Sequence, residues 1–407
     1  MPEGSLPKKQ KCEDPAVTKL RDYIRLRTVH PEPDYDGAIS FLKSYAEEIG
    51  LPFRTVEVHP DRLVAIMTWE GLDPSLPSIM LNSHTDVVPV FLEHWKCDPF
   101  AGQKMENGDI YGRGTQDMKS NGIIFLEAVR RLKTEGQRFN RTIHLTFVPD
   151  EEIGGKLGME KFVVHEEFKK LNIGFAFDEG LANPTDAFTV FYGERAPWWV
   201  RVKCSGQPGH GSRFIQDSAA EKFRRIINSF LDFRAQEEKK LNGNACLRLG
   251  DVTTVNLTNV QGGVQFNVVP MDMYAGFDVR IAPTVDLEEF ENKIKNWCAE
   301  AGGDVTYEFI QKCMIQDTTS VHDSDPWWKT FSTVCERLGM KIEPEIFPAA
   351  TDSRFIREIG IPALGFSPMN NTPILLHDHN EFLNENIFLK GIDIYSAIIP
   401  EIANMSV

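Results

Sequence analysis

Imidazoles and carboxylates of this 407-residue chain gather in five short stretches that follow apolar runs or glycine turns. His84-Thr85-Asp86 follows Ile79-Met80-Leu81, and on an extended backbone residues 84 and 86 project to the same side. Asp86 can then accept a ring proton from His84 and aim the other nitrogen at a metal, as carboxylates behind histidine ligands do. A surface loop could carry the same His-x-Asp. Gly112-Arg113-Gly114-Thr115-Gln116-Asp117 spends two glycines on a tight backbone before its aspartate, which reads as a ligand or as a plain helix cap. Pro149-Asp150-Glu151-Glu152 and Asp178-Glu179 end two further apolar strands in acids. Such acids often make a solvated turn, but neighbouring carboxylates can also divide labour, one holding a cation while the other handles a proton. His377-Asp378-His379-Asn380-Glu381 sets two histidines ahead of the last helix, as ligands or as a surface pair. Taken together the stretches point one way, because sites in open α/β sheets form beside the carboxyl ends of strands. Histidines and carboxylates without thiolates favour zinc, or another divalent first-row ion, over a closed cysteine site.

The elements that must position these groups follow from hydrophobic spacing. Between about residues 16 and 192, strands at 63–69, 78–82, 141–148 and 173–177 alternate with helices, one through Phe41, Leu42, Tyr45, Ala46 and Ile49 that stops at Gly50, another from 118 to 132. Apolar strands separated by helices predict a parallel or mixed sheet covered on both faces. The middle differs. A strand at 198–203, a helix at 219–236, strands at 252–260 and 273–282 with a short piece at 264–269 between them, a helix at 287–301 and a strand at 305–311 give the order βαββαβ. The α/β pattern resumes after 313 and ends in a helix starting near Asn384. The expected fold class is therefore α/β: an α/β/α domain with a mixed, largely parallel sheet, interrupted by an inserted ferredoxin-like domain. The boundaries drawn are a polar N-terminal tail at 1–15, the first part of the main domain at 16–195, the insert at 196–312 and the second part at 313–407.

Composition narrows the function. Forty-four basic against 59 acidic residues give a net charge of −15, which repels nucleic acid and anionic membrane. No apolar run reaches the ~18 residues of a membrane span, and MPEGSLPKKQKCEDP lacks the apolar stretch of a signal peptide. Seven scattered cysteines without a C-x-x-C pair predict free, buried thiols in a reducing compartment, hence the cytoplasm. His30, His59, His94, His144, His165 and His322 carry no motif and are given no chemistry.

Longer stretches carry a resemblance: LNSHTDVVPVF, RGTQDMK, TFVPDEEIGG, DEGLANPTDAFTVFY, RAPWWVRV, PGHGSRF, NVVP and PAATDSRFIR. From about residue 16 to the C-terminus the chain resembles the di-zinc aminoacylase and carboxypeptidase family. The resemblance implies a zinc domain with an inserted lid that also dimerises, and two Zn²⁺ per subunit. Asp117 would bridge the ions, with His84 and Glu179 completing one and Glu152 and His377 the other. His377 is preferred to His379 because the family's histidine stands four residues before a glutamate, here Glu381. Charges of two zinc ions, three carboxylates and one hydroxide cancel, which makes such a cluster tolerable to bury. Asp86 would orient His84, and Glu151 would be the general base toward a zinc-activated water. His210, in Pro-Gly-His-Gly-Ser, would reach the partner subunit's active site in a homodimer, while Asn267 and Arg280 would hold the substrate. An arginine fork suits a substrate carboxylate. Ser120 replaces the glycine commonest after the lysine in the family, a departure outside the ligand set. The implied activity is hydrolysis of N-acyl-L-amino acids. Rival readings are a dipeptidase or another deacylase on the same core, and a metal-containing binding protein, which would have no need of Glu151.

Overall fold

The computed structural model describes residues 13–405, so residues 1–12 of the expected tail lie outside the described residues. Pro15 already opens helix α1 (Pro15–Arg25), with the Asp14 carboxylate accepting from the Ala16 N–H as its cap. Helix α2 (Tyr35–Ile49) starts at Asp34 and ends where Gly50 takes a φ of 73°, the left-handed stop expected from the sequence. Strands β1 (Phe53–His59), β2 (Arg62–Trp69) and β3 (Ser78–His84) follow, then helix α3 (Lys119–Thr134), strand β4 (Ile143–Val148) and strand β5 (Ile173–Asp178).

These five strands belong to an eight-stranded sheet and run in the order β1-β2-β4-β3-β5. The outer pairs β1–β2 and β2–β4 are antiparallel, whereas β3 is parallel to both β4 and β5. Every residue of β3 and β4 is buried, as strands covered on both faces require. Register aligns their ends. His84 lies beside Val148, and Leu81 beside Phe177, so the segments leading to Asp86, Glu151 and Glu179 leave the sheet at one edge.

The chain divides into two compact units, one holding residues up to 190, 322–343 and from 365 onward, the other 191–321 and 344–364. In the second unit, strand β6 (Ala196–Ser205), helix α4 (Ala219–Asn242), strands β7 (Thr254–Gly262) and β8 (Asp272–Ile281), helix α5 (Leu287–Ala301) and strand β9 (Val305–Lys312) follow in βαββαβ order. The sheet is antiparallel throughout, in the order β7-β8-β6-β9. Its core packs Trp198, Val200, Ile226, Phe230, Phe277 and Phe290, with the Phe230 and Phe277 rings stacked. This unit holds the whole of 196–312 together with 191–195, 313–321 and 344–364. Buried Glu194 pairs with Arg357 at 2.9 Å, and Arg195 donates to the Pro348 carbonyl and, at 3.1 Å, to that of Val252, which ties residues 191–195 and 344–364 to it.

The last helix, α6 (Glu385–Asn404), is capped by the Asn384 side chain and returns to the first unit. Its Tyr395 stands edge-on to Phe125 of α3 and Phe177 of β5. The six cysteines among the described residues are free. Cys204, Cys298 and Cys335 are buried as expected, whereas Cys246 is exposed and Cys97 and Cys313 are half-buried. No helix among the described residues is long and apolar enough to cross a membrane.

One core histidine gives the fold an acid-sensitive point. Burial pushes His144 of β4 down to about 4 from 6.5, with Thr68 Oγ1 lying 3.0 Å from its Nδ1. The unfolded chain therefore binds the extra proton between those two values. Stability is whole above pH 6.5 and falls as pH drops toward 4, by up to about 3 kcal/mol from this ring. A His144→Asn variant keeps an acceptor for Thr68 and should lose that part of the slope in urea midpoints measured at pH 7 and 4.5.

Candidate metal centre

His84 ends β3 with its ring 1% exposed. Its Nδ1 lies 2.9 Å from the main-chain oxygen of Asp86 and 3.6 Å from that residue's carboxylate. A carbonyl oxygen only accepts, so Nδ1 carries the proton and Nε2 is left to face Asp117 Oδ1 at 3.0 Å and Glu179 Oε2 at 3.6 Å. Asp86 thus orients His84, but through its backbone. Its carboxylate has other work, accepting the main-chain N–H of Glu151 (3.2 Å) and of Glu152 (3.0 Å) and pairing with His30 at 2.8 Å. Burial would raise Asp86, but the His30 and His84 imidazoles outweigh it and hold the carboxyl well below the usual carboxylate range. His30, given no chemistry on sequence, proves to be the third partner of that anchor. Nothing near it in the chain announced this, because Asp86 lies 56 positions away.

On the other side His377 Nε2 lies 3.2 Å from Asp117 Oδ2 and 3.0 Å from Glu152 Oε2. The two oxygens of Asp117 therefore face two different imidazoles. The structure brings together all five residues expected as ligands: potential ligand atoms of His84, Asp117 and Glu152 fall within 4.8 Å of one another, as do those of His84, Glu151 and Glu179, with His377 against Asp117 and Glu152. His379 is not among them. Its ring lies 4.8 Å from that of His94.

Charge shows what this cluster accommodates. Burial and then Asp117 push Glu152 up to about 7 and raise Glu179 well above its ordinary value. Hydrogen bonds donated to Asp117 and Glu152 drive His377 up to about 10, and for His84 the neighbouring carboxylates outweigh a burial that would lower it. Acids crowded this closely oppose one another's ionisation, which a cation among them would relieve. Buried Glu152 Oε1 has no hydrogen-bond partner. Two imidazole nitrogens with carboxylate oxygens and no thiolate fit divalent zinc.

The loops are built to hold these groups still. Asp150, just before Glu151, has a φ of 65° and is gripped by the Tyr35 hydroxyl at 2.6 Å and by Arg62. Such a backbone costs on the order of 1 kcal/mol at a non-glycine residue and is kept where its surroundings over-determine it. Before α3, Gly114 takes a φ of 94°, which a side chain would resist. Sequence reading gave no role to Glu381 beyond its spacing from His377. It is fully buried, and its carboxylate accepts from Arg113 at 2.7 Å and from the main-chain N–H of Gly114, Gln116 and Asp117.

The remaining expected site residues belong to the second unit. His210 is exposed, with Nδ1 2.8 Å from Ser212 Oγ, and Gly211 donates to the Asn267 carbonyl at 2.8 Å, so His210 and Asn267 are neighbours. Exposed Phe214 and Phe266 flank them in sequence. Arg280 stands toward the other end of β8, its Nε and one terminal nitrogen on Asp278 at 2.8 and 3.1 Å. It is therefore not beside His210 and Asn267 within one chain.

Comparison with known proteins gives the family. The family described as Peptidase family M20/M25/M40 matches residues 80–401. Aminoacylase-1 of Mus musculus is 59% identical over 398 residues, covering 98% of each chain. Aminoacylase-1 of Homo sapiens is 57% identical over 393 residues, covering 97% of this chain and 96% of that protein. The Dictyostelium discoideum aminoacylase-1 is 50% identical over 405 residues, covering 97% and 98%. Among solved structures, the M20 family metallo-carboxypeptidase Sso-CP2 from Sulfolobus solfataricus superposes with a TM-score of 0.73 at 17% identity, covering 96% of this chain and 100% of that one. Human carnosine dipeptidase 1 gives 0.69 at 15% identity, covering 95% and 96%. At such identities the structural likeness speaks for the fold alone. On the family match and the full-length relatives, the chain belongs to peptidase family M20/M25/M40 and, within it, to the aminoacylase-1 group.

Proposed function

We propose that this hydrolase cleaves N-acyl-L-amino acids, N-acetyl amino acids among them, to a free L-amino acid and a carboxylate, as a cytoplasmic homodimer with two Zn²⁺ per subunit. The observation that carries the reading is Asp117, whose two carboxylate oxygens lie 3.0 and 3.2 Å from two separate imidazoles. One side chain can thus serve both ions, with His84 and Glu179 on one and Glu152 and His377 on the other. When bound, the ions supply Lewis acidity that lowers the pKa of water from about 15.7 toward ~7.

The chain's own residues do the rest. Glu151 takes the proton from the attacking water and returns it to the leaving nitrogen. Asp86, holding the backbone of Glu151 and Glu152, keeps base and ligand at a fixed spacing. His210 of one subunit donates to the developing oxyanion in the other. Asn267 and Arg280 hold the amino-acid end, Arg280 offering the guanidinium donors that Asp278 leaves free. Six free thiols among the described residues suit a reducing compartment.

The test is release of free amine from N-acetylmethionine. Hydrolysis should vanish on treatment with a chelator, return with added zinc, and exceed hydrolysis of simple dipeptides. A preference for dipeptides, or undiminished turnover by protein verified to be metal-free, would overturn the reading.

A further inference from the structure

The pair of short strands Asp109–Tyr111 and Phe382–Asn384 is antiparallel, with Tyr111 opposite Phe382. Beyond Tyr111 the ladder stops, and residues 112–117 turn through a fully buried loop to reach Asp117. Main-chain N–H groups in such a loop need partners, since leaving one buried and unmade costs about 1–3 kcal/mol. One residue supplies most of them. Glu381 accepts from Gly112 N through its main-chain oxygen (3.0 Å), and through its carboxylate from the N–H of Gly114 (3.2 Å), Gln116 (2.6 Å) and Asp117 (3.3 Å). Arg113 closes on the same carboxylate at 2.7 Å, so the buried charge is paired.

Gln116 answers from the other direction. Its amide nitrogen donates to the carbonyls of Pro373 (3.1 Å) and Phe382 (2.8 Å), and its amide oxygen accepts from the Leu375 N–H (3.0 Å). These contacts fall on both sides of His377, at 373–375 and 381–382. His377 itself is 51% exposed with a φ of 57°, so burial does not hold its ring in place.

We propose that Glu381 and Gln116 form a two-way clasp that sets the distance between Asp117 and His377, and so act as positioning residues for the metal that His377 shares with Asp117 and Glu152. His84 and Glu179 take no part in the clasp, so the other ion feels it through Asp117 alone and should be less sensitive to it. This rests on the two-ion reading above and adds to it a division of labour. Partners that hold a ligand in place typically change metal affinity by about 10–100-fold when removed.

The experiment is stepwise zinc titration of the full-length protein against a competing chelator, for wild type, Gln116→Met and Glu381→Gln, with thermal melts of the metal-free proteins alongside. Gln116→Met leaves the main-chain bonds to Glu381 intact and serves if Glu381→Gln, which unbalances Arg113, fails to fold. The expected result is two ions in wild type and, in the variants, a weaker site reduced by about 10–100-fold while the tighter one shifts by less than about threefold. A general loss of structure would lower the melt and weaken both sites together, which would overturn the proposal, as would unchanged affinities in Gln116→Met. Fewer than two ions in wild type would instead defeat the two-ion reading, and the clasp's metal role with it.

Discussion

Replacing Glu151 by glutamine should leave two zinc ions per chain and lower kcat by about 10²–10⁴-fold, the range expected when a positioned general base is removed. The substitution is nearly isosteric, and the contact that fixes the turn, from the Glu151 main-chain N–H to Asp86 Oδ1 at 3.2 Å, does not involve the side chain that changes. Metal content separates two roles that position alone leaves together. The Glu151 carboxylate falls in a group with His84 and Glu179 close enough to bind an ion. As a ligand, its loss would lower the zinc count along with the rate. As a base, it affects the rate alone. Near-normal turnover would remove Glu151 from the mechanism, and loss of an ion would make it a ligand.

The second large effect is a recovery. His210→Ala and Glu151→Gln chains, each nearly inactive alone, should regain activity when their subunits are exchanged. If His210 serves the partner's site, a mixed dimer contains one site with an intact Glu151 and an intact His210. Random exchange makes about half the dimers mixed, with one working site in each, so about a quarter of wild-type activity should return. His210 is exposed: its ring nitrogen meets Ser212, while its backbone pairs with Val268 and accepts from the Arg213 N–H. That leaves the ring available for another molecule. Verified exchange without recovery would confine His210 to its own subunit or to no catalytic role.

The stretches that the structure brings together were legible because each is local: an apolar strand ending in a histidine or acid announces itself within a few residues, as at His84 and Glu179. The βαββαβ order was legible for the same reason, and the helix at 287–301 has the bounds read from its spacing. What could not be read lies in pairings across distance. Asp86 looked like a carboxylate aimed at His84, but the turn after β4 brings two backbone N–H groups to that carboxylate, and the imidazole takes the main-chain oxygen instead. Glu381 looked like a spacing marker, though its donors lie more than 260 positions earlier. Glu194 reaching Arg357, 163 positions on, is likewise a contact no local periodicity records.

The order of the five donors along the polypeptide has a consequence during synthesis. His84, Asp117, Glu152 and Glu179 leave the ribosome first, and about 200 further residues are added before His377 emerges. At roughly 5–20 residues per second, that interval lasts on the order of 10–40 s. The nascent enzyme therefore carries an acid-rich, half-finished cage past its whole inserted unit, and the cage closes only when that last histidine arrives.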